Sequence, residues 1–223
     1  YEDGKKLDII LKEKNISLFL GYRVTSVEKV DSERIGSVVA TNVDDYRTIR
    51  ISGHYFADCT GDAVLGALAG AECVMGREPK SKFGEQSAPD VADGITLGAS
   101  VQWYSEDCGH PCGFPDIDWG LEMDEDSVQK VRRGQWYWEV GMNDDQIRDC
   151  EKIRDYGMYV AYSNWSYIKN RASFREEYAG AELKWLSYYA GKRESRRIMG
   201  ELVLTENDLR NFVLYEDGCV ATS

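Results

Sequence analysis

Hydrophobic positions near the start of the chain follow first a helical and then a strand pattern. Leu7, Ile10 and Leu11 are spaced for one face of a helix, and Asn15 is placed to end it. The next segment, ISLFLGYRVTSVEKV, alternates apolar and polar residues and is rich in β-branched and aromatic side chains. The pattern predicts a helix that leads into a strand.

Two more alternating segments follow, IGSVVATNV and YRTIRISGHYFADC, separated by two aspartates. With the first strand they predict a three-stranded antiparallel meander over residues 22–59. The last strand is predicted to end at a corner formed by Thr60, Gly61 and Asp62.

A segment rich in small residues comes directly after this corner. Residues 63–74, AVLGALAGAECV, predict a helix with too little polar surface to be solvated on every side, so one face is expected to pack closely. That face carries Gly66, Ala67, Gly70 and Ala71.

The rest of the chain changes character after a loop. Residues 76–96 hold most of the turn-forming residues, and the segment after them, ITLGASVQWYSED, alternates as a strand. Helices are predicted over 144–169, with Gly157 as a weak point, and over about 176–190.

Near the end, Thr205 with Asp208 three residues later predicts the capped start of a short helix. The elements together predict an α/β (α+β) fold. The predicted division is a nucleotide-binding part, a loop, a substrate or cap region and a return segment, at 1–75, 76–96, 97–192 and 193–223.

Charge excludes some classes of partner. The 223 residues include 27 Lys and Arg against 39 Asp and Glu, a net charge of −12, which argues against nucleic acid. There is no apolar run of about 18 residues and no signal peptide, so we expect no membrane contact and a cytoplasmic location. Because the chain opens at Tyr1 inside a helical pattern, we expect it to be part of a longer protein, whose earlier residues would carry any export signal.

Six cysteines are scattered along the chain, which favours a reducing compartment over a disulfide framework. Cys108 and Cys112 flank His110 in the segment CGHPC, which raises the possibility of a metal site. Structural zinc needs a second ligand pair at related spacing, and the sequence offers none. We therefore predict no metal and a Pro/Gly loop.

The Thr60-Gly61-Asp62 corner has two interpretations. A strand that ends there and starts a helix presents backbone N–H groups to an anionic or polar ligand, and Gly61 permits close approach. Alternatively, Thr60 or Asp62 only caps a buried helix.

Order of elements favours the first interpretation. A helix, a strand, a meander and a strand ending in TGD before a small-residue helix resemble the middle of the FAD-binding domain in flavoprotein oxidoreductases of the glutathione-reductase type. Further on, IKN at 168–170 and GKRESRRIMGELVLTENDL at 191–209 resemble the later signature of the bacterial FAD-dependent oxidoreductase family, whose members are often found beside carbohydrate-processing genes. The resemblance covers most of the chain.

The resemblance implies an FAD cofactor and an enzyme that transfers hydride or electrons between FAD and a small-molecule substrate. It implies a main-chain contact to the dinucleotide near the adenine at Val24, and places Thr60, Gly61 and Asp62 beside the cofactor. The glycine-rich turn that holds the pyrophosphate in similar proteins is absent from this sequence. We therefore expect the longer protein to bind FAD and these 223 residues alone to retain it poorly.

Three arginines lie within the family-like segment. Arg193, Arg196 and Arg197 are candidates to clamp a substrate carboxylate or the cofactor phosphates, since guanidinium groups suit planar anions. The alternative is a set of solvated arginines paired with Glu201 or Asp208.

A stretch rich in aromatic and acidic residues supports a different class of function. Stacking aromatic rings and paired carboxylates are what a carbohydrate lyase or hydrolase uses. Within WYWEV, Trp136 and Trp138 are predicted to share one face of a strand. A non-catalytic interaction module is a third possibility. The residues concerned are Trp103, Tyr104, Trp119, Trp136, Tyr137 and Trp138, with Asp116, Asp118, Glu122 and Glu139 between them.

Overall fold

The structure, a computed structural model, describes residues 2–134, 138–216 and 218. The helices are α1 (Asp3–Lys12), α2 (Val64–Ala69), α3 (Lys80–Phe83), α4 (Cys150–Asn170) and α5 (Glu206–Arg210). The strands are β1 (Tyr22–Lys29), β2 (Ile35–Asn42), β3 (Thr48–Ser52), β4 (Cys73–Val74), β5 (Trp103–Asp107), β6 (Arg133–Gly134), β7 (Ala181–Leu186) and β8 (Arg197–Ile198). Helices mixed with antiparallel sheets confirm the predicted α/β (α+β) class. The chain divides into two compact units, Tyr1–Cys73 and Val74–Ser223.

The first unit is built on the predicted meander. Strands β1, β2 and β3 pair in that order, each antiparallel to the next. The central strand β2 buries Val38 and Ala40, because alternate residues of a strand face the same side. The predicted helix before the meander is also present as α1, although it ends at Lys12 rather than at Asn15.

The meander ends earlier than predicted. Strand β3 stops at Ser52, and residues 54–59 are not a strand, so the prediction of a strand that runs into the corner is wrong for this structure. A strand needs a neighbour for its backbone groups, and no strand of the described ranges pairs with 54–59. Tyr55 is accordingly 96% exposed.

The small-residue helix is shorter than predicted, because α2 ends before Gly70. Gly70 has φ of 77°, and its N–H bonds back to the carbonyl of Ala67, so it ends the helix as a left-handed cap. Gly66 is buried, whereas Gly70 and Ala71 are exposed. The four small residues therefore do not share one packed face.

The second unit has a core between α4 and the sheet of order β6-β5-β7. Trp103 of β5 meets Trp165 of α4 edge to face, with ring centroids 5.4 Å apart, and both residues are buried.

Among the described residues, no helix is long and apolar enough to cross a membrane.

The predicted helix over 176–190 is wrong. A short 3-10 turn, Arg175–Tyr178, is followed by β7, which pairs antiparallel with β5. The free edge of β5 and the burial of Ala181 outweigh the local helix preference of this segment.

Two other predictions about the second unit have different outcomes. Helix α5 begins as predicted, since Thr205 and Asp208 form a reciprocal capping box. The predicted WYWEV strand rests on residues 135–137, which include Trp136 and Tyr137 and lie outside the described residues.

Gly157, predicted as a weak point, lies where α4 makes a close contact. A Cβ built on Gly157 would lie 2.5 Å from Cγ2 of the buried Val101. Helix α4 therefore depends on glycine there, although alanine has the higher helix propensity.

We predict that Gly157→Ala lowers the free energy of unfolding by about 1–3 kcal/mol, because the added methyl group overpacks against Val101. Gly4→Ala in α1 is the matched control, since a Cβ at Gly4 meets nothing within 4 Å. Denaturant unfolding should show Gly4→Ala neutral or stabilising. If both substitutions stabilise the protein, the close contact at Gly157 is wrong.

Candidate functional site

The corner after the meander contains two left-handed residues. Gly61 has φ of 80° and Ala63 has φ of 51°. Glycine adopts this conformation at little cost, whereas any other residue pays for it, so the chain holds Ala63 against its own preference. Such strain persists only where the surroundings fix the backbone.

Asp58 supplies that fixation. One of its carboxylate oxygens accepts from the backbone N–H of Thr60 at 3.0 Å and from the Thr60 hydroxyl at 2.7 Å. The other accepts from the backbone N–H of Gly66, inside α2, at 2.9 Å. Thr60 in turn accepts from the N–H of Val64 at 2.9 Å. Asp58 and Thr60 thus tie the corner to the first turn of the helix.

The pKa of Asp58 reflects these bonds. Partial burial raises the pKa, but the hydrogen bonds from Thr60, Gly66 and Leu65 outweigh burial and leave the pKa of Asp58 below its ordinary value of 3.8. The carboxylate is therefore charged at neutral pH and holds the corner in that form.

This arrangement corrects the expectation that the start of α2 presents N–H groups to a ligand. The N–H groups of Val64 and Gly66 already bind Thr60 and Asp58. Capping, one of the two interpretations of the corner, is thus present, with Thr60 and Asp58 as acceptors.

Gly61 presents an open approach to the main chain. It is exposed, and a Cβ built there would meet nothing within 4 Å. The neighbouring Asp62 is half-buried. A ligand can therefore approach the corner at Gly61 more closely than at a residue with a side chain.

Val24, the other predicted cofactor contact, lies in β1 opposite Ala40 of β2. The ladder shifts register between Val24 and Ser26, which leaves the backbone here irregular. Irregular backbone suits a main-chain contact, although that role stays a prediction.

The three arginines of the second unit lie in different environments. Arg193 forms an ion pair with Glu139. Arg197 donates to Glu194 at 2.6 Å and to Glu78 at 3.1 Å, and also to the carbonyl of Gly76 at 2.8 Å. These acids replace the partners Glu201 and Asp208 that the sequence offered.

Arg196 is half-buried, and its side chain or backbone takes part in an interaction. Glu194 also connects the arginine segment to the chain before β5, because its second oxygen accepts from the backbone N–H of Leu97 at 2.9 Å. The segment 193–197 is therefore held in place by charged contacts.

A cavity of about 450 Å³ lies beside Arg197. Its lining carries both signs of charge, with two arginines and four glutamates: Arg77, Arg197, Glu78, Glu85, Glu194 and Glu206. Hydrogen bonds from the backbone and hydroxyl of Ser87 lower the pKa of Glu206 to about 2.

Among the residues that the structure describes, no cluster of His, Cys, Asp or Glu is arranged to hold a metal ion.

The aromatic residues that the structure describes in this stretch do not form one platform. Trp103 is 2% exposed and belongs to the core, whereas Trp119 is exposed and stacks on Tyr159. Tyr104 stacks on Trp185, and Trp138 packs against the core. Of the interleaved acids, Asp116 pairs with Arg171 and Glu139 with Arg193. The arrangement gives the carbohydrate hypothesis no support.

Comparison with known proteins identifies the family to which the chain belongs. A family model described as FAD dependent oxidoreductase matches residues 5–223. The chain therefore belongs to the FAD dependent oxidoreductase family, which confirms the resemblance seen in the sequence. No curated protein and no solved structure matches the chain.

Sequence reasoning missed Asp58 as the organiser of the corner. The sequence did contain a signal. In a common type of turn, the carboxylate of an aspartate accepts a hydrogen bond from the backbone N–H two residues later, and Thr60 lies two residues after Asp58. Glu78 and Glu139 carried no such local signal, since each meets its arginine across a long stretch of chain.

We predict that Asp58→Asn speeds hydrogen exchange at the amide of Thr60 or of Gly66, because asparagine offers one acceptor oxygen where the carboxylate offers two. The cost should be about 1 kcal/mol, as for other helix-capping losses. Asp8→Asn in α1 is the control for the charge change and should leave exchange at both amides unchanged.

The loss of unfolding free energy caused by Asp58→Asn should depend on pH. Since the pKa of Asp58 is lowered in the folded chain, its contribution is complete above 3.8 and is lost as the pH falls through the lower folded value. The difference in free energy of unfolding between the wild-type protein and Asp58→Asn should therefore shrink in acid. A difference that grows in acid would contradict this assignment.

Proposed function

We propose that this protein transfers hydride or electrons between FAD and a small organic substrate, with the corner at residues 58–62 beside the dinucleotide. Membership of the FAD dependent oxidoreductase family supports the reaction class. The observation that carries the proposal within the chain is Gly61, which combines a left-handed backbone with open space where a Cβ would lie.

The residues of the corner fit a neutral or hydroxyl-bearing part of the dinucleotide better than a phosphate. The first helix N–H groups are bound internally by Thr60 and Asp58, and Asp58 is negatively charged. In this proposal Asp58 holds the corner rigid, and Gly61 brings the main chain against the ligand. The flavin supplies the redox chemistry when bound, while the protein supplies position and electrostatics.

The arginine segment is proposed to position an anionic group of the substrate. Arg193, half-exposed and paired with Glu139, can exchange that carboxylate for one on a ligand. Arg196 is proposed to act beside it. Arg197 is proposed to contribute from the wall of the cavity, where Glu194 and Glu78 fix its guanidinium.

Replacing Gly61 should separate cofactor binding from folding. We predict that Gly61→Val abolishes flavin retention, because a side chain there blocks the approach of the dinucleotide. Gly70→Val is the matched control: Gly70 has φ of 77°, is exposed, and also has no atom within 4 Å of an added Cβ. Both variants carry the same type of backbone strain, of about 1–3 kcal/mol.

The measurement is the visible absorbance of flavin in the natural protein containing these residues, purified and then reconstituted with FAD. Circular dichroism of each variant checks folding. Loss of flavin in Gly61→Val alone supports the proposal. Equal retention in both folded variants would show that the corner has only a structural role.

We further predict that Arg196→Ala in the same flavin-loaded protein lowers kcat/KM by about tenfold or more, the effect of losing one charge-assisted hydrogen bond. Arg34→Ala removes the same charge from an exposed turn of the meander and serves as control. Steady-state kinetics with an anionic substrate found by screening provide the measurement. Kinetics equal to those of the control would remove Arg196 from the site.

A further inference from the structure

The segment CGHPC remains unexplained by the flavin chemistry. Cys108 follows β5 directly, and Cys112 lies four residues later, with Gly109 in a left-handed conformation at φ of 71° between them. Both cysteines are free thiols of intermediate exposure.

Backbone pairing brings the two cysteines to the same place. The N–H of Cys108 donates to the carbonyl of Gly180 at 2.9 Å, and the N–H of Cys112 donates to the carbonyl of Ala179 at 2.9 Å. The two carbonyls belong to adjacent residues, Ala179 and Gly180, so the backbones of Cys108 and Cys112 are held at neighbouring positions of one segment. The two cysteines are thus anchored side by side.

The sulfur atoms of both cysteines also bond to carbonyl groups of residues 179–181. Cys108 Sγ donates to the carbonyl of Gly180 at 3.0 Å, and Cys112 Sγ donates to that of Ala181 at 3.2 Å. The two side chains also interact: a hydrogen bond with Cys112, followed by burial, raises the pKa of the Cys108 thiol. Cys108 therefore keeps its proton while it bonds to the sulfur of Cys112.

The ammonium group of Lys169 lies beside the sulfur of Cys112. Lys169 of α4 extends its ammonium group to 3.7 Å from Cys112 Sγ, and donates to the carbonyls of Tyr178 at 2.7 Å and Ala181 at 2.8 Å. A positive charge next to sulfur stabilises the anion that attacks a disulfide. The pair is therefore asymmetric, with Cys112 next to the cation and Cys108 as its hydrogen-bond partner.

We propose that Cys108 and Cys112 form a redox-active dithiol that reduces small-molecule disulfides, with Cys112 as the attacking and Cys108 as the resolving residue. This activity is separate from the proposed flavin reaction and does not depend on it. The observation that carries it is the juxtaposition of the two thiols and the ammonium group of Lys169 on one segment, Ala179–Ala181.

The reaction balances without a further reactant. The thiolate of Cys112 attacks one sulfur of the disulfide, so that its S–S bond breaks, a mixed disulfide forms and one thiolate leaves. Cys108 loses its proton, attacks the sulfur of Cys112 and expels the second thiolate. The protein loses two electrons and gains a disulfide, and the two thiol protons pass through water to the released thiolates.

The test uses the reduced 223-residue chain and 2-hydroxyethyl disulfide as the probe, with products identified by mass spectrometry of peptides. The wild-type chain should form a Cys108–Cys112 disulfide. Cys108→Ser should trap a mixed disulfide at Cys112, since the resolving thiol is missing. Cys112→Ser should react at Cys108 at least about tenfold more slowly, because this variant lacks the thiol that lies beside Lys169.

Two comparisons distinguish a redox pair from ordinary surface thiols. The exposed Cys150 in each variant gives an internal reference rate, and Cys150→Ser should leave disulfide formation unchanged. Lys169→Met should slow the reaction of Cys112, and Lys169→Arg should restore much of it, with circular dichroism to confirm folding. If Cys108 and Cys112 react at equal rates, no faster than Cys150, or never join in one disulfide, the proposal is overturned.

Discussion

The carboxylate of Asp58 is the constraint on which the candidate site depends. It binds the backbone and hydroxyl of Thr60 and the N–H of Gly66, and so fixes a turn that contains two left-handed residues. These bonds help to hold Ala63 in its left-handed conformation. The corner therefore exists because one charged side chain satisfies several donors at once.

The second unit is held by a different kind of interaction. Trp103 and Trp165 join β5 to α4 through buried aromatic contact, and Gly157 lets α4 lie close to Val101. Around this core, charged contacts fix the arginine segment: Arg197 binds Glu194 and Glu78. Each unit thus places its chemistry on a segment whose backbone is fixed by the unit's own contacts.

Local patterns predicted the parts of the fold that local forces decide. The meander through β3 and the capping box at Thr205 follow from periodicity or from residues three positions apart, and so does α4, which was predicted from residue 144 and begins at Cys150. The strand β7 was missed because its partner β5 lies more than 70 residues earlier. Glu139 and Glu78, which pair with Arg193 and Arg197, were missed for a similar reason, since they lie 54 and 119 residues from their arginines.

The candidate site was predicted in part. Thr60, Gly61 and Asp62 were placed at a tight corner, and Gly61 indeed has a positive φ of 80°. The state of the helix N–H groups could not be predicted, because it depends on where the carboxylate of Asp58 points. The roles of these residues and of Val24 toward FAD stay predictions.

The measurement that tests the central claim most directly is hydrogen–deuterium exchange of the natural protein containing these residues, with and without saturating FAD. The account predicts that FAD slows exchange of the peptide covering residues 58–66, while exchange in the exposed turn at 31–34 is unchanged. FAD that binds the protein but leaves exchange at 58–66 unaltered would contradict the claim that the corner lies beside the dinucleotide.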